Sequence, residues 1–148
     1  MKISAFFWEL AIIRPSMRDI FEKYRTIAVY GMSRNPYKAA HTVPEYLARN
    51  RYLVIPINPN AESIGGKKSY PDLMQIPDKI DILEIFRPAL YAVQIVGEAI
   101  RRRSERNDIE IIWLQMERNE EARNLAEQAG FTFVHGKCMY HEHSDLFK

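Results

Sequence analysis

Short apolar runs alternate along the chain with segments whose apolar positions recur every three or four residues. Ser16 to Tyr24 is the first of the latter, with Met17, Ile20, Phe21 and Tyr24 on one helical face. Thr26-Ile27-Ala28-Val29-Tyr30 follows as a buried strand ended by Gly31. Ser33, Asn35 and Pro36 make Met32 to Ala40 a loop. Thr42-Val43-Pro44-Glu45 has the form of a capping box, with Pro44 in the first turn of a helix that turns Val43, Tyr46 and Leu47 inward and ends near Asn50. Tyr52 to Ile57 is a second strand, although Pro56 cannot donate to a ladder. Gly65-Gly66-Lys67-Lys68 reads as a turn and Asp72 to Ile76 as a short helix. Ile80 to Phe86 is a third strand, and Pro88 opens a helix facing inward through Leu90, Val93, Val96, Gly97 and Ile100. Arg101-Arg102-Arg103 complements the dipole at that helix's end. After a fourth strand, Ile109 to Leu114, Asn119 caps a helix with Ala122, Leu125, Ala126 and Ala129 buried and Gly130 as its stop. Phe131 to Val134 is a fifth strand.

Strands alternating with helices predict an α/β fold, a Rossmann-like doubly wound parallel sheet of about five strands. At 148 residues the chain is sized for one domain, spanning 15–148 behind an apolar arm over 1–14. Ten of the first thirteen residues are apolar, too few for a membrane span of about 20. No signal-peptide cleavage pattern follows them. They read as an arm that packs on the domain or on a second subunit, which makes a homodimer an option, and the expected compartment is the cytoplasm. A single cysteine excludes an internal disulfide. A net charge of +2 gives no case for nucleic acid, and Arg101 to Arg103 with Arg106 read as a solvated helix end.

In a doubly wound sheet, ligands bind outside the carboxyl ends of the strands. The first such end, Gly31 to Lys38, has one glycine and lacks G-x-G-x-x-G. Gly31 permits a sharp turn and close approach of a phosphate. Ser33, Asn35 and free N–H groups could donate to it, with Arg34 and Lys38 adding charge. The second strand ends in Asn58-Pro59 where a nicotinamide dinucleotide would want a carboxylate. A phosphorylated adenosine suits that uncharged end, with Lys67 and Lys68 nearby. His41, at a helix start, reads as a hydrogen-bond donor. P-loop and G-x-S-x-G spacings are absent, and Asp81 and Glu84 form no acid–base pair. His135, Cys138, His141 and His143 match no standard metal spacing. Cys138 reads as a packed strand-end thiol, with an activated thiol or a metal ligand as its other readings. No catalytic residue and no metal site is assigned.

Read in order, the pieces carry a resemblance. They are Ile27-Ala28-Val29-Tyr30-Gly31-Met32-Ser33, Asn35-Pro36, Val54-Ile55-Pro56-Ile57-Asn58-Pro59, Gly66-Lys67, Tyr70-Pro71, Phe86-Arg87, Trp113-Leu114-Gln115, Asn119-Glu120-Glu121-Ala122, Cys138-Met139 and Glu142-His143. Over about Asp19 to His143 the chain resembles the small single-domain CoA-binding proteins, which are similar to the CoA-binding domain of the succinyl-CoA synthetase alpha subunit. The resemblance implies CoA or an acyl-CoA across the carboxyl edge of the sheet. Gly31, Met32, Ser33, Arg34, Asn35, Tyr37 and Lys38 would then hold the phosphates, beside His41, and Asn58 and Pro59 would flank the adenosine. Phe86 and Arg87 would line the pantetheine path or the phosphates, Gln115 would lie near its far end, and Cys138 joins this set. The glycine usual soon after Trp-Leu-Gln is missing from Gln115-Met116-Glu117-Arg118-Asn119, and that loop is one residue shorter. Ligase chemistry does not carry over, because it needs a phosphorylated histidine from a second domain. The expectation is a non-catalytic module that carries, senses or buffers CoA, in one version for a protein partner. The alternatives are an enzyme acting on an acyl-CoA thioester or nucleotide through Cys138, His41 and Arg87, or a nicotinamide-nucleotide redox domain.

Overall fold

A computed structural model describes residues 15–148, so the apolar arm expected over 1–14 lies outside the described residues. Helix α1 (Met17–Lys23) is opened by a capping box in which Ser16 Oγ accepts from the Asp19 N–H and the Asp19 carboxylate accepts from the Ser16 N–H, both at 3.1 Å. It leads into strand β1 (Thr26–Tyr30). Helix α2 spans Ala39–Arg49, starting three residues before the expected box, with Lys38 at its N-cap and Pro44 inside. Pro44 has no N–H for the carbonyl of Ala40, four residues back. That freed carbonyl instead accepts from the Ser33 N–H at 3.1 Å, which is how the helix tolerates its proline.

Strand β2 (Leu53–Ile57) lies at the sheet edge, where Pro56 leaves no ladder bond unmade on the open side. The segment read as a turn is a hairpin: β3 (Ser63–Ile64) and β4 (Lys67–Lys68) pair antiparallel around Gly65-Gly66, both at positive φ. Strand β5 (Ile82–Ile85) is buried throughout. A tight 3-10 turn, Ala89–Tyr91, precedes helix α3 (Ala92–Arg106) and alters the phase of its faces. Leu90 is therefore 74% exposed, and the buried stripe is Ala92, Ile95, Val96, Ala99 and Arg102 rather than the expected one. Strand β6 (Ile111–Gln115), helix α4 (Glu120–Gln128), strand β7 (Thr132–Lys137) and helix α5 (Met139–Leu146) complete the chain. Asn119 caps α4 by accepting from the Ala122 N–H.

All pairings in the five-stranded sheet are parallel, in the order β2-β1-β5-β6-β7. One face, with Leu83, Ile85, Ile112 and Leu114, packs under α3 and α4. The other, with Ile27, Ile82 and Trp113, packs under α1, α2 and α5. The fold is thus the expected single α/β Rossmann-like domain. Arg102 corrects the reading of a solvated helix end. It is fully buried, its guanidinium grips Asp108 at 2.9–3.1 Å, and it donates to the carbonyls of Leu73, Ile76 and Asp78. Among the described residues no helix is long and apolar enough to cross a membrane.

Candidate functional site

The chain leaves β1 toward the face covered by α2 and leaves β5 toward the face covered by α3. Their loops diverge at the carboxyl edge and open a crevice between them, as doubly wound sheets do at the point where strand order reverses. The crevice has a volume of ≈ 590 Å³, within the range of small-molecule sites. Of the expected residues, Gly31, Met32, Ser33, Lys38, Asn58, Pro59, Phe86 and Arg87 line it. Arg34, Asn35, Tyr37, His41, Gln115 and Cys138 do not. Tyr30, Ala40, Ile57, Asn60 and Pro71 also line it, although the sequence reading assigns none of them to the site. Tyr30 had a signal available, as the last strand residue before Gly31.

Gly31 holds φ +93°, a left-handed conformation, and a Cβ there would lie 3.0 Å from Arg87 Cδ. Its missing side chain therefore lets the stem of Arg87 cross the loop. The Arg87 guanidinium then rests 5.1 Å from the ring centre of Tyr91. Ser33 and Asn35 shape the loop from within. Ser33 Oγ accepts from the Asn35 N–H and Asn35 Oδ1 from the Tyr37 N–H, both at 3.0 Å. Asn35 Oδ1 thus acts as a turn acceptor, while its Nδ2 makes no hydrogen bond among the described residues. His41 also turns inward to the loop. Its Nδ1 lies 2.7 Å from the Ser33 carbonyl, which can only accept, so Nδ1 carries the proton. The first turn of α2 has no side-chain cap and no acidic residue, and its Ala40 faces the crevice. That arrangement favours an anion.

Asn58 ties the loop after β2 to the loop after β1. Its Nδ2 donates to the Met32 carbonyl at 3.0 Å and its Oδ1 accepts from the Asn60 N–H at 2.8 Å. The amide expected to meet an adenosine is thus engaged at both ends. Tyr30 Oη donates to the Glu98 carboxylate at 2.9–3.0 Å. Burial, reinforced by Glu98, pushes its hydroxyl up to about 12. Lys38 and Arg87 have no ion pair among the described residues and are exposed. Of the hairpin lysines, Lys67 is paired with Glu45 at 2.5 Å.

Gln115 and Cys138 belong elsewhere. Gln115 is 7% exposed, and its Oε1 accepts from the Met139 N–H at 3.1 Å, capping α5 where Cys138 is the N-cap residue. The C-terminal histidines also go separate ways. His135 Nδ1 accepts from the Asn119 N–H. His143 Nδ1 meets Tyr46 Oη at 2.8 Å among Phe21, Tyr52 and Phe147, and burial pushes its pKa down. Among the described residues no group of three or more His, Cys, Asp or Glu could hold a metal ion. In the loop after Trp113-Leu114-Gln115, which lacks a glycine, Met116 holds a left-handed φ of +66°.

Residues 25–144 match the CoA binding domain family. The chain is 26% identical over 132 residues to the uncharacterized protein YneT of Bacillus subtilis, covering 88% of this chain and 94% of that one. It is 32% identical over 90 residues to the ADP-forming acetate–CoA ligase II of Archaeoglobus fulgidus, matching 60% of this chain but 13% of that enzyme. Among solved structures, a hypothetical protein from Pyrococcus horikoshii superposes with a TM-score of 0.82 at 34% identity, covering 89% of this chain and 90% of its own. A Thermus thermophilus protein gives 0.81 at 31% identity, covering 88% and 96%. The match over most of its length, with the crevice at the strand-order reversal, means that the chain belongs to the CoA binding domain family.

Proposed function

We propose that the protein binds CoA, free or as an acyl thioester, in the crevice between the β1 and β5 loops, without catalysing a reaction of its own. The observation that carries this reading is the convergence of Lys38, Arg87 and the uncapped start of α2 on one groove at the strand-order reversal. Anionic phosphates suit that end. Phe86 and the Tyr91-backed Arg87 offer an amphipathic wall for a pantetheine arm. Among the described residues lining the crevice there is no carboxylate, imidazole or thiol to act as base or nucleophile. The Tyr30 hydroxyl there is held protonated by burial, reinforced by Glu98. His41, Cys138 and Arg87, the trio an enzyme would need, are not gathered at one point, since Arg87 alone of them lines the crevice. The family adds the ligand class, which geometry alone does not specify.

Calorimetric titration with CoA, and with NAD and ATP in parallel, tests the reading. Saturable binding selective for CoA is the expected result. Equal binding of all three, or none by folded and unloaded protein, overturns it. Turnover of acetyl-CoA by the purified chain would overturn the non-catalytic half.

A further inference from the structure

We propose that Lys68 and the groove beside it form a subsite for an isolated phosphate monoester on the adenosine, so that the protein selects CoA over its 3′-dephospho form. This rests on the CoA reading of the main crevice. A second groove, of ≈ 610 Å³, adjoins that crevice and shares Asn58, Pro59, Asn60 and Pro71 with it. Lys68 and Ser69 extend its lining beyond the shared residues. Successive strand residues point to opposite sides, and the two hairpin lysines behave accordingly. Lys67 turns to α2 and is neutralised by Glu45. Lys68 turns the other way, where its Nζ lies 5.1 Å from the ring centre of Tyr70. Among the described residues it has no ion pair. The carboxylate lining this groove, Glu62, is exposed.

The cations that line these two grooves, none with an ion pair among the described residues, thus lie in two separate places. Lys38 and Arg87 share the main crevice, and Lys68 is the one cation lining the adjoining groove among the described residues, with Glu62 exposed on the same lining. A ligand complementary to that pattern carries a pyrophosphate and, apart from it, one further phosphate. The adenosine end of CoA has this charge pattern. ATP has its phosphates in one run, and NAD has only the pyrophosphate. The tight turn of the hairpin holds the Lys68 backbone, so that a ligand has only the side chain to order.

The test compares CoA with 3′-dephospho-CoA by calorimetry on the full chain and on Lys68→Gln and Lys67→Gln. The wild type should bind CoA about tenfold tighter than the dephospho form, the scale of one charge-assisted hydrogen bond. Lys68→Gln should remove most of that ratio by weakening CoA alone, and Lys67→Gln should leave it intact. A wild-type ratio near one, or a Lys68→Gln loss shared equally by both ligands, overturns the subsite while the CoA reading stands. If neither form binds, adenosine 3′,5′-bisphosphate against AMP reads the subsite separately. A Lys68-dependent preference there keeps it and removes the CoA reading, whereas no preference removes both.

Discussion

Glu84→Leu probes a carboxyl that the fold encloses without a partner. Glu84 lies in β5, in register with Val29 of β1 and Trp113 of β6. It is fully buried, and neither of its oxygens has a hydrogen-bond partner among the described residues. Desolvation pushes its pKa from 4.5 to about 8. At neutral pH the folded chain therefore keeps the group protonated, while the unfolded chain ionises it. Because the folded state binds the additional proton, its contribution is complete below the ordinary carboxylate range and is lost as pH rises toward the folded value. The slope is about 1.4 kcal/mol per pH unit, which by pH 7 amounts to roughly 3 kcal/mol. Against a total stability on the order of 5–15 kcal/mol, that is a large fraction. Leucine fills a similar volume and does not titrate. Glu84→Gln does not titrate either but keeps a buried polar group, so it should be less stable than the leucine variant. Urea unfolding, followed by tryptophan fluorescence and far-ultraviolet circular dichroism, measures stability between about pH 5 and pH 8. The advantage of Glu84→Leu over wild type should widen steadily across that range. Parallel pH profiles for the two proteins would refute the reasoning, because they would mean that the carboxyl is solvated or paired in solution.

Gly31→Val forces a β-branched residue into left-handed φ, at about 1–2 kcal/mol, and places its Cβ against the stem of Arg87. CoA affinity measured by calorimetry should fall more than about tenfold with the circular dichroism spectrum retained, and unchanged affinity would detach this loop from binding. Asp108→Ala strands the buried Arg102 guanidinium and should lower stability by about 3–5 kcal/mol in guanidinium titrations; a loss below about 1 kcal/mol, the scale of a surface pair, would contradict its burial. His143, whose pKa burial depresses, stays neutral in the fold while the unfolded chain's histidine charges as pH falls through its ordinary range. Its contribution is therefore present above about pH 6.5 and lost below it, opposite in sign to that of Glu84. His143→Phe should flatten the acid limb of the stability profile, and an unaltered limb would count against this assignment.

The strands were legible because a parallel sheet covered on both faces needs continuous apolar runs, as Ile111-Ile112-Trp113-Leu114 shows. Features made by contacts distant in sequence were not. Pro44 looks like a helix start until the Ala40 carbonyl is seen to have Ser33 as its partner. Arg102 looks like one of three surface arginines, because three of the acceptors around it are backbone carbonyls of 73, 76 and 78, which leave no mark in the residue pattern. The candidate site divides on the same principle. Treating every strand end as part of it brings in Gln115 and Cys138, yet the crevice forms only where neighbouring loops leave the sheet toward opposite faces. The order β2-β1-β5-β6-β7 puts that divergence between β1 and β5. Past β5 the order no longer reverses, and Gln115 shares the face of Trp113, two residues earlier, over which α5 packs. Its amide is therefore drawn to the Met139 N–H and away from the crevice. Alternation along a strand can be read from residues, but which strand lies beside β1 cannot, and that single piece of topology separates the residues that reach the crevice from those that cap α5.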